Sequence, residues 1–320
     1  MAVEQVIQQK FGRYKKSKGK NGTDYVVTCP FCKKKGKMYI TPNSNLFHCF
    51  RCGEAGPADL LIGHNFTVRN SADNHIRTLP SKIEPPGELI SLEELPHDHP
   101  ALNYVKGRKF DFRELNQVYG VRYCTRGRTF AGIFDTTGTL IFPFWMKGEL
   151  IGWQARLTYN PDNLTDSDCE MVGLRKDSDG DWIKPPKYWT SPGLEKGRIL
   201  YNYDWANRSE VVVLSEGVFD AIGVGKSGVA SLGKSVTDQQ LGLLIDNMRW
   251  KLAVIMLDPG DASKEMEMVE AGLRHTIRTL RVDLQGYKDP GEAPREEIWV
   301  QIGRAAKRAG LNLFDYKFLM

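Results

Sequence analysis

The spacing of apolar and polar side chains divides this chain into stretches of different character. From residue 206 onward, apolar runs rich in β-formers alternate with runs at helical spacing. VVVLSE (211–216) reads as a strand, GVFDAIGVGK as a helix, and GVASLG (228–233) as a strand. TDQQLGLLIDN then reads as a helix capped by Thr237, and KLAVIMLD (251–258) as a strand. A further helix is predicted over about 262–275, with Met266, Val269, Leu273 and Ile277 on one stripe. RTLRVDL (278–284) reads as the last strand of the series. Strands alternating with helices predict a small parallel sheet, with its chemistry at the carboxyl ends of the strands.

Upstream, residues 99–205 mix a helical opening with short strands. FDFRELNQVYG carries Phe112, Leu115, Val118 and Tyr119 at helical spacing and stops at Gly120. TLIFPFWM (139–146) and ELIGWQARL (149–157), joined by Lys147-Gly148, read as a hairpin. Residues 63–98 are rich in Asn, Pro, Ser, His and Glu with little periodicity, and read as a linker. Residues 1–62 form a basic, cysteine-bearing module, and 294–320 a helical tail. The pattern predicts an α/β chain, α+β overall, with no internal repeat.

At 320 residues the chain can bury a sizeable core and divide into roughly two or three domains. No apolar run is long enough for a membrane span, and MAVEQVIQQKFGRYKKSKGK has no apolar signal core. A cytoplasmic protein is expected, with no membrane partner. Charge changes the picture at the N-terminus. Residues 1–60 hold eleven Lys and Arg against four acids, a net +7, while the whole chain is +5, so the remainder nets −2. A basic first module fits a polyanionic partner, nucleic acid being the usual one, although a solvated charged face has the same composition.

Four of the six cysteines form two close pairs. In CPFCKKKGKMYITPNSNLFHCFRCG, Cys29 and Cys32 are followed after sixteen residues by Cys49 and Cys52. Each Cys-x-x-Cys knuckle presents two thiolates to one ion, and two knuckles close a tetrahedral, structural Zn²⁺ site. His48 is then surplus and reads as a contact residue. Cys124 and Cys169 read as packing residues.

GVASLGKS (228–235) also matches the pattern of a phosphate-binding loop. Such a loop needs a strand before its first Gly, and here a helical segment precedes Gly228. Val229, Ala230 and Leu232 alternate as strand residues do. An ATPase is therefore set aside, and Lys234 is placed on a turn at the carboxyl edge of the sheet, within reach of a nucleotide phosphate or template strand. Acids mark the same edge. Glu216 ends one strand, Asp220 lies a helical turn on, Asp258 ends another strand with Asp261 close behind, and Asp289 follows the last. Carboxylates converging there have the chemistry to hold Mg²⁺.

Taken in order, these motifs resemble a DnaG-type DNA primase of bacterial or phage kind, over residues from about 28 to 292. The cysteine segment is similar to the family's CPFH…HCFGCG. YVKGRKFDFRELNQVYGVRY, LIFPFWMKGELIGWQARL and PPKYWTSPGLEKGRILYNYDWA resemble its polymerase-core segments, and SEGVFDAI its Toprim motif EGYMDVI. The resemblance implies a zinc-ribbon module (1–62), a linker (63–98), a mixed α/β N-terminal subdomain (99–205), a Toprim-like parallel sheet flanked by helices (206–293) and the tail. It implies short RNA primers made from ribonucleoside triphosphates on single-stranded DNA. Glu216, Asp220, Asp258, Asp261 and Asp289 fall in the catalytic set, with Glu216, Asp258 and Asp289 holding Mg²⁺ or Mn²⁺. Arg108, Arg156, Lys187, Lys196 and Lys234 fall in the set for template and nucleotide phosphates. The linker would let the zinc module swing on to the active site.

The chain departs from the family in three places. Asp258-Pro-Gly-Asp261 stands where Asp-x-Asp is usual, Gly291 stands at a common acidic position, and thirty residues separate Arg156 from Lys187 (insertion 158–184). The length leaves no room for a helicase-binding domain, so a phage-like primase meeting its replicative helicase in trans is expected. Two alternatives stay open. One is a non-catalytic recombination mediator that binds single-stranded DNA, although its zinc site adjoins the Toprim sheet, whereas here about 160 residues intervene. The other is a Toprim metal-dependent nuclease.

Overall fold

The computed structural model describes residues 3–19, 22–52, 54–63, 83–257 and 262–320. Its contacts divide the chain into two units, residues 1–78 with 195–320, and residues 79–194.

The first unit begins with helix α1 (Val3–Phe11), which buries Val6 and Ile7. Together with Val3 and Phe11, which pack on the same cluster, they fall at helical spacing, a signal the sequence reading passed over. Five antiparallel strands follow in the order β1 (Lys15–Gly19), β2 (Gly22–Val27), β3 (Met38–Thr41), β4 (Leu46–Cys49) and β5 (Ala55–Pro57). Helix α2 (Asp59–Ile62) closes the ribbon. Alternation along β2 and β3 buries Tyr25, Val27, Met38 and Ile40 around Phe47 and Cys49. Lys15, Lys16 and Lys18 stand exposed on β1, an edge strand, where charge discourages stray pairing.

The second unit is built on an antiparallel sheet in the order β12-β11-β10-β7-β6. In chain order its elements are β6 (Gly87–Ser91), α3 (Pro100–Gly107), α4 (Phe112–Gln117) and β7 (Arg122–Gly127). Then come the small hairpin β8 (Thr129–Phe130) and β9 (Phe134–Asp135), and the long hairpin β10 (Thr139–Met146) and β11 (Glu149–Leu157). Helix α5 (Asp166–Met171) and β12 (Tyr188–Thr190) complete it. The long hairpin spans the residues expected of it. Lys147 and Gly148 both have positive φ, 54° and 79°, as a tight turn matched to strand twist requires. The linker expectation covered 63–98. Residues 64–82 lie outside the described residues, whereas 87–91 form a strand paired with β7. Within the insertion, α5 carries a capping box from Thr165 and Asp168.

The chain then returns to the first unit. Helix α6 (Tyr203–Ala206) leads into β13 (Val211–Ser215), α7 (Val218–Val224), β14 (Gly228–Ala230), α8 (Asp238–Asp246), β15 (Leu252–Ile255), α9 (Ala262–Leu273), β16 (Arg278–Arg281) and α10 (Arg295–Arg308). The four strands form a wholly parallel sheet in the order β14-β13-β15-β16. Val211, Val213, Leu252 and Val254 meet Ile298, Trp299 and Ile302 of α10 on one face. Val212, Leu214, Ala253 and Ile255 are buried on the other, and α9 packs against β15 and β16. Strands buried on both faces explain the unbroken apolar runs.

Gly228–Ala230 lies inside this sheet, so the loop-like GVASLGKS is a buried strand followed by an exposed turn at Lys234. Helix α7 lies close on the turn after β16. A Cβ on Gly223 would sit 2.3 Å from the Pro290 carbonyl oxygen. Gly223→Ala is expected to destabilise the protein by about 1–3 kcal/mol through this overlap, measured by thermal denaturation.

The ribbon and the parallel sheet belong to one unit, and β5 packs against α9. The Glu54 carboxylate lies 2.8 Å from His275 Nε2 and 3.7 Å from Arg274 Nη1. The long sequence separation of the two modules therefore does not separate them in space.

Candidate functional site

Two sets of side chains define the chemistry. The first is the cysteine quartet, the one group of three or more potential ligands brought together among the described residues. Its four sulfurs lie within 4.8 Å of one another. Cys29 Sγ is 3.8 Å from Cys52 Sγ, and Cys32 Sγ is 3.8 Å from Cys49 Sγ. A tetrahedral zinc with Zn–S bonds of about 2.3 Å needs sulfurs about 3.8 Å apart, so the donors fit the ion. Local hydrogen bonds shape the knuckles. Lys33 N–H donates to the Cys29 carbonyl at 2.9 Å, and Cys32 N–H points at Cys29 Sγ at 3.5 Å.

Burial pushes the Cys29 thiol up to about 12. At Cys49 burial acts in the same direction, but the N–H groups of Cys52 and Arg51 outweigh it and bring the thiol down to about 7. Zinc must displace these protons, so its affinity falls as pH falls. His48 stands outside the quartet, edge-on to Phe50 with ring centroids 4.5 Å apart.

The second set lies at the carboxyl edge of the parallel sheet. Glu216 follows β13 directly and is half-buried; its backbone carbonyl accepts the Leu232 N–H at 2.8 Å. Asp220, in the first turn of α7, is only 8% exposed. Its Oδ2 accepts the Gly217 N–H at 2.7 Å and its Oδ1 the Gly291 N–H at 3.2 Å. Asp289 Oδ1 is buried without a hydrogen-bond partner among the described residues. An unpaired buried carboxylate oxygen is costly in protein and suits a cation. Asp258 and Asp261 lie outside the described residues.

The basic candidates fall in both units. In the second, Arg156 is buried, with its guanidinium 4.5 Å from the Tyr188 ring centroid and Nε donating to Tyr104 Oη at 2.8 Å. Its stacking and hydrogen bonding are largely internal. Lys187 is paired with Asp162 at 2.7 Å in an exposed contact, the weak kind that a phosphate can displace. Arg108 is half-buried at the end of α3. In the first unit, Lys196 and Lys234 are exposed.

One residue that organises this edge was missed. Gln240 is fully buried, and its Nε2 lies within 3.0 Å of the Lys196, Ile199 and Ser231 carbonyl oxygens. It thereby ties the Lys196 turn to the end of β14. The signal was present in TDQQ, because Gln240 also completes a capping box with Thr237.

This arrangement defines a zinc-ribbon protein with a mixed α/β body. Residues 2–70 match the CHC2 zinc finger, the zinc ribbon of DnaG. The DNA primase of Enterococcus faecalis is 25% identical over 326 residues, covering 85% of this chain and 50% of that protein. The DNA primase of Halalkalibacterium halodurans is 26% identical over 296 residues, covering 76% and 47%. The chain spans about half the length of the curated relatives it matches. A crystal structure of the Aquifex aeolicus primase, comprising zinc-binding and RNA polymerase domains, aligns with 95% of this chain and 83% of its own at 19% identity, with a TM-score of 0.46. The chain is thus similar to DnaG-type DNA primases, and its N-terminal residues match their zinc ribbon. No helix among the described residues is long and apolar enough to cross a membrane.

Proposed function

We propose that this protein is a DNA primase, which makes short RNA primers on single-stranded DNA by metal-dependent nucleotidyl transfer. The observation that carries the reading is the Asp289 carboxylate oxygen, buried and without a hydrogen-bond partner among the described residues, in a turn bonded to the helix that starts beside Glu216. With Asp258, these acids would hold Mg²⁺ or Mn²⁺. The ion would lower the pKa of the attacking 3′-hydroxyl and offset charge on the triphosphate. Glu216 and Asp289 supply carboxylate oxygens for it. Arg108, Arg156, Lys187, Lys196 and Lys234 are the proposed contacts for template and triphosphate. The zinc ribbon would choose the template start, and a replicative helicase would be met in trans. The site of action would be the cytoplasm, that of the host if the protein is a phage's.

The recombination-mediator reading is favoured by one observation, the ribbon packed against α9. The test that separates the readings is incorporation of labelled ribonucleotides on random single-stranded DNA with Mg²⁺. Short, template-dependent RNA is expected. DNA binding without product would mark a mediator, and template degradation a nuclease.

A further inference from the structure

The family resemblance placed Asp220 among the catalytic acids. Its surroundings assign it different work. Helix α7 begins immediately after Glu216 and Gly217, and Asp220 occupies its third position. The carboxylate reaches back so that Oδ2 accepts the Gly217 N–H at 2.7 Å, which fixes the backbone next to Glu216. Glycine has no side chain with which to complete a reciprocal cap, so the acid does this alone. The other oxygen, Oδ1, accepts the Gly291 N–H at 3.2 Å, a contact spanning 71 residues of chain. Gly291 lies two residues beyond Asp289. The same turn is held close from α7 by the missing side chain at Gly223, which leaves space for the Pro290 carbonyl. Arg295 adds a tie from α10, its guanidinium donating to the Ile222 carbonyl at 3.0 Å and the Gly223 carbonyl at 3.3 Å.

We propose that Asp220 is a positioning residue: one carboxylate clasps the backbone beside Glu216 to the turn carrying Asp289, setting the spacing of these two metal-holding acids. This rests on the metal-dependent reading above. The chemistry of the clasp is specific to an ionised carboxylate. It must accept two N–H donors on two different oxygens. An asparagine of the same shape keeps one acceptor and presents an N–H₂ donor to the other N–H. One arm of the clasp is then lost, while the side-chain volume and the helix remain.

The test compares full-length wild type, Asp220→Asn and Asp289→Asn. Hydrogen exchange across residues 285–295 reads the clasp without metal or substrate. Asp220→Asn should exchange faster there than wild type, while peptides in β13 and β15 stay protected. Mn²⁺ binding, read from the paramagnetic signal of the free ion, should weaken about tenfold in Asp220→Asn, the loss typical of an outer-shell partner. Primer synthesis titrated with Mn²⁺ should need about tenfold more metal in Asp220→Asn, with kcat at saturation within tenfold of wild type. Asp289→Asn should stay low at every metal concentration.

If Asp220→Asn remains inactive at saturating Mn²⁺, Asp220 is itself a ligand and the proposal fails. Unchanged exchange across 285–295 also overturns it. If wild type binds Mn²⁺ but makes no primer, the primase reading fails, and the clasp is judged on exchange and Mn²⁺ affinity. Wild type that binds no Mn²⁺ overturns both.

Discussion

Replacing Glu216 with Ala is expected to reduce primer synthesis roughly 10²–10³-fold, the scale for removing one preorganised group that stabilises developing charge. The melting temperature should hold within a few degrees. The two halves of this result have separate causes. Glu216 follows β13, an interior strand flanked on both sides by parallel partners, so its position is set by backbone hydrogen bonds that the substitution leaves in place. Its carbonyl keeps the Leu232 N–H. What is lost is one carboxylate of the proposed metal site. Asp258→Ala should show a loss of similar size, and the double variant should fall little further, because groups holding one ion act as a unit. Initial rates of labelled ribonucleotide incorporation measure this. Equal product from wild type, Glu216→Ala and Asp258→Ala would remove these residues from the site.

The second large effect is expected at the ribbon. Cys49→Ser should abolish stoichiometric zinc and unfold residues 3–63. Zinc binding in small zinc modules supplies about 10–16 kcal/mol of folding free energy, more than so small a core supplies alone. Cys49 is fully buried and pairs with Met38 in the ribbon sheet, so its loss reaches the centre of the module. The parallel sheet keeps its own apolar cluster under α10 and should stay folded. The end of α9 should loosen, because Arg274 and His275 lose the Glu54 carboxylate. Metal analysis, together with hydrogen exchange followed separately in the ribbon, α9 and β13–β15, reads all three effects. Unfolding of β13–β15 in this variant would show that the ribbon supports the whole unit.

Much of this was legible in the sequence. The cysteine spacing named its ligands, and the alternation after residue 206 predicted a parallel sheet, which the fold contains, since β13, β14 and β15 are buried on both faces. The 139–157 hairpin was readable because two β-rich runs meet at a two-residue turn containing Gly148, which suits positive φ. What the sequence did not show has a common origin in contacts between distant segments. GELIS (87–91) reads as linker because its burial is slight, and pairing with β7 makes it a strand. Asp220 at a helix start reads as a cap or as a ligand, and only the fold brings Gly291 beside it. The enclosure of Arg156 by Tyr104 and Tyr188 likewise has no trace in its local sequence. The docking of β5 on α9 has no local signature: a Cβ on Gly56 would fall 2.9 Å from His275 Cδ2, and nothing in the sequence near Gly56 announces that neighbour.

That docking also bears on how the protein is made. The unit holding the ribbon is discontinuous, and residues 79–194 form a second unit between its halves. Glu54 leaves the ribosome 221 residues before His275. At roughly 5–20 residues per second, the ribbon waits roughly ten to forty-five seconds for the helix it rests on. During that interval the ribbon has only its own small core and its zinc to keep it ordered. Early metal capture is thus a condition for orderly synthesis, and zinc starvation should reduce the yield of soluble protein even where the finished molecule would tolerate chelation.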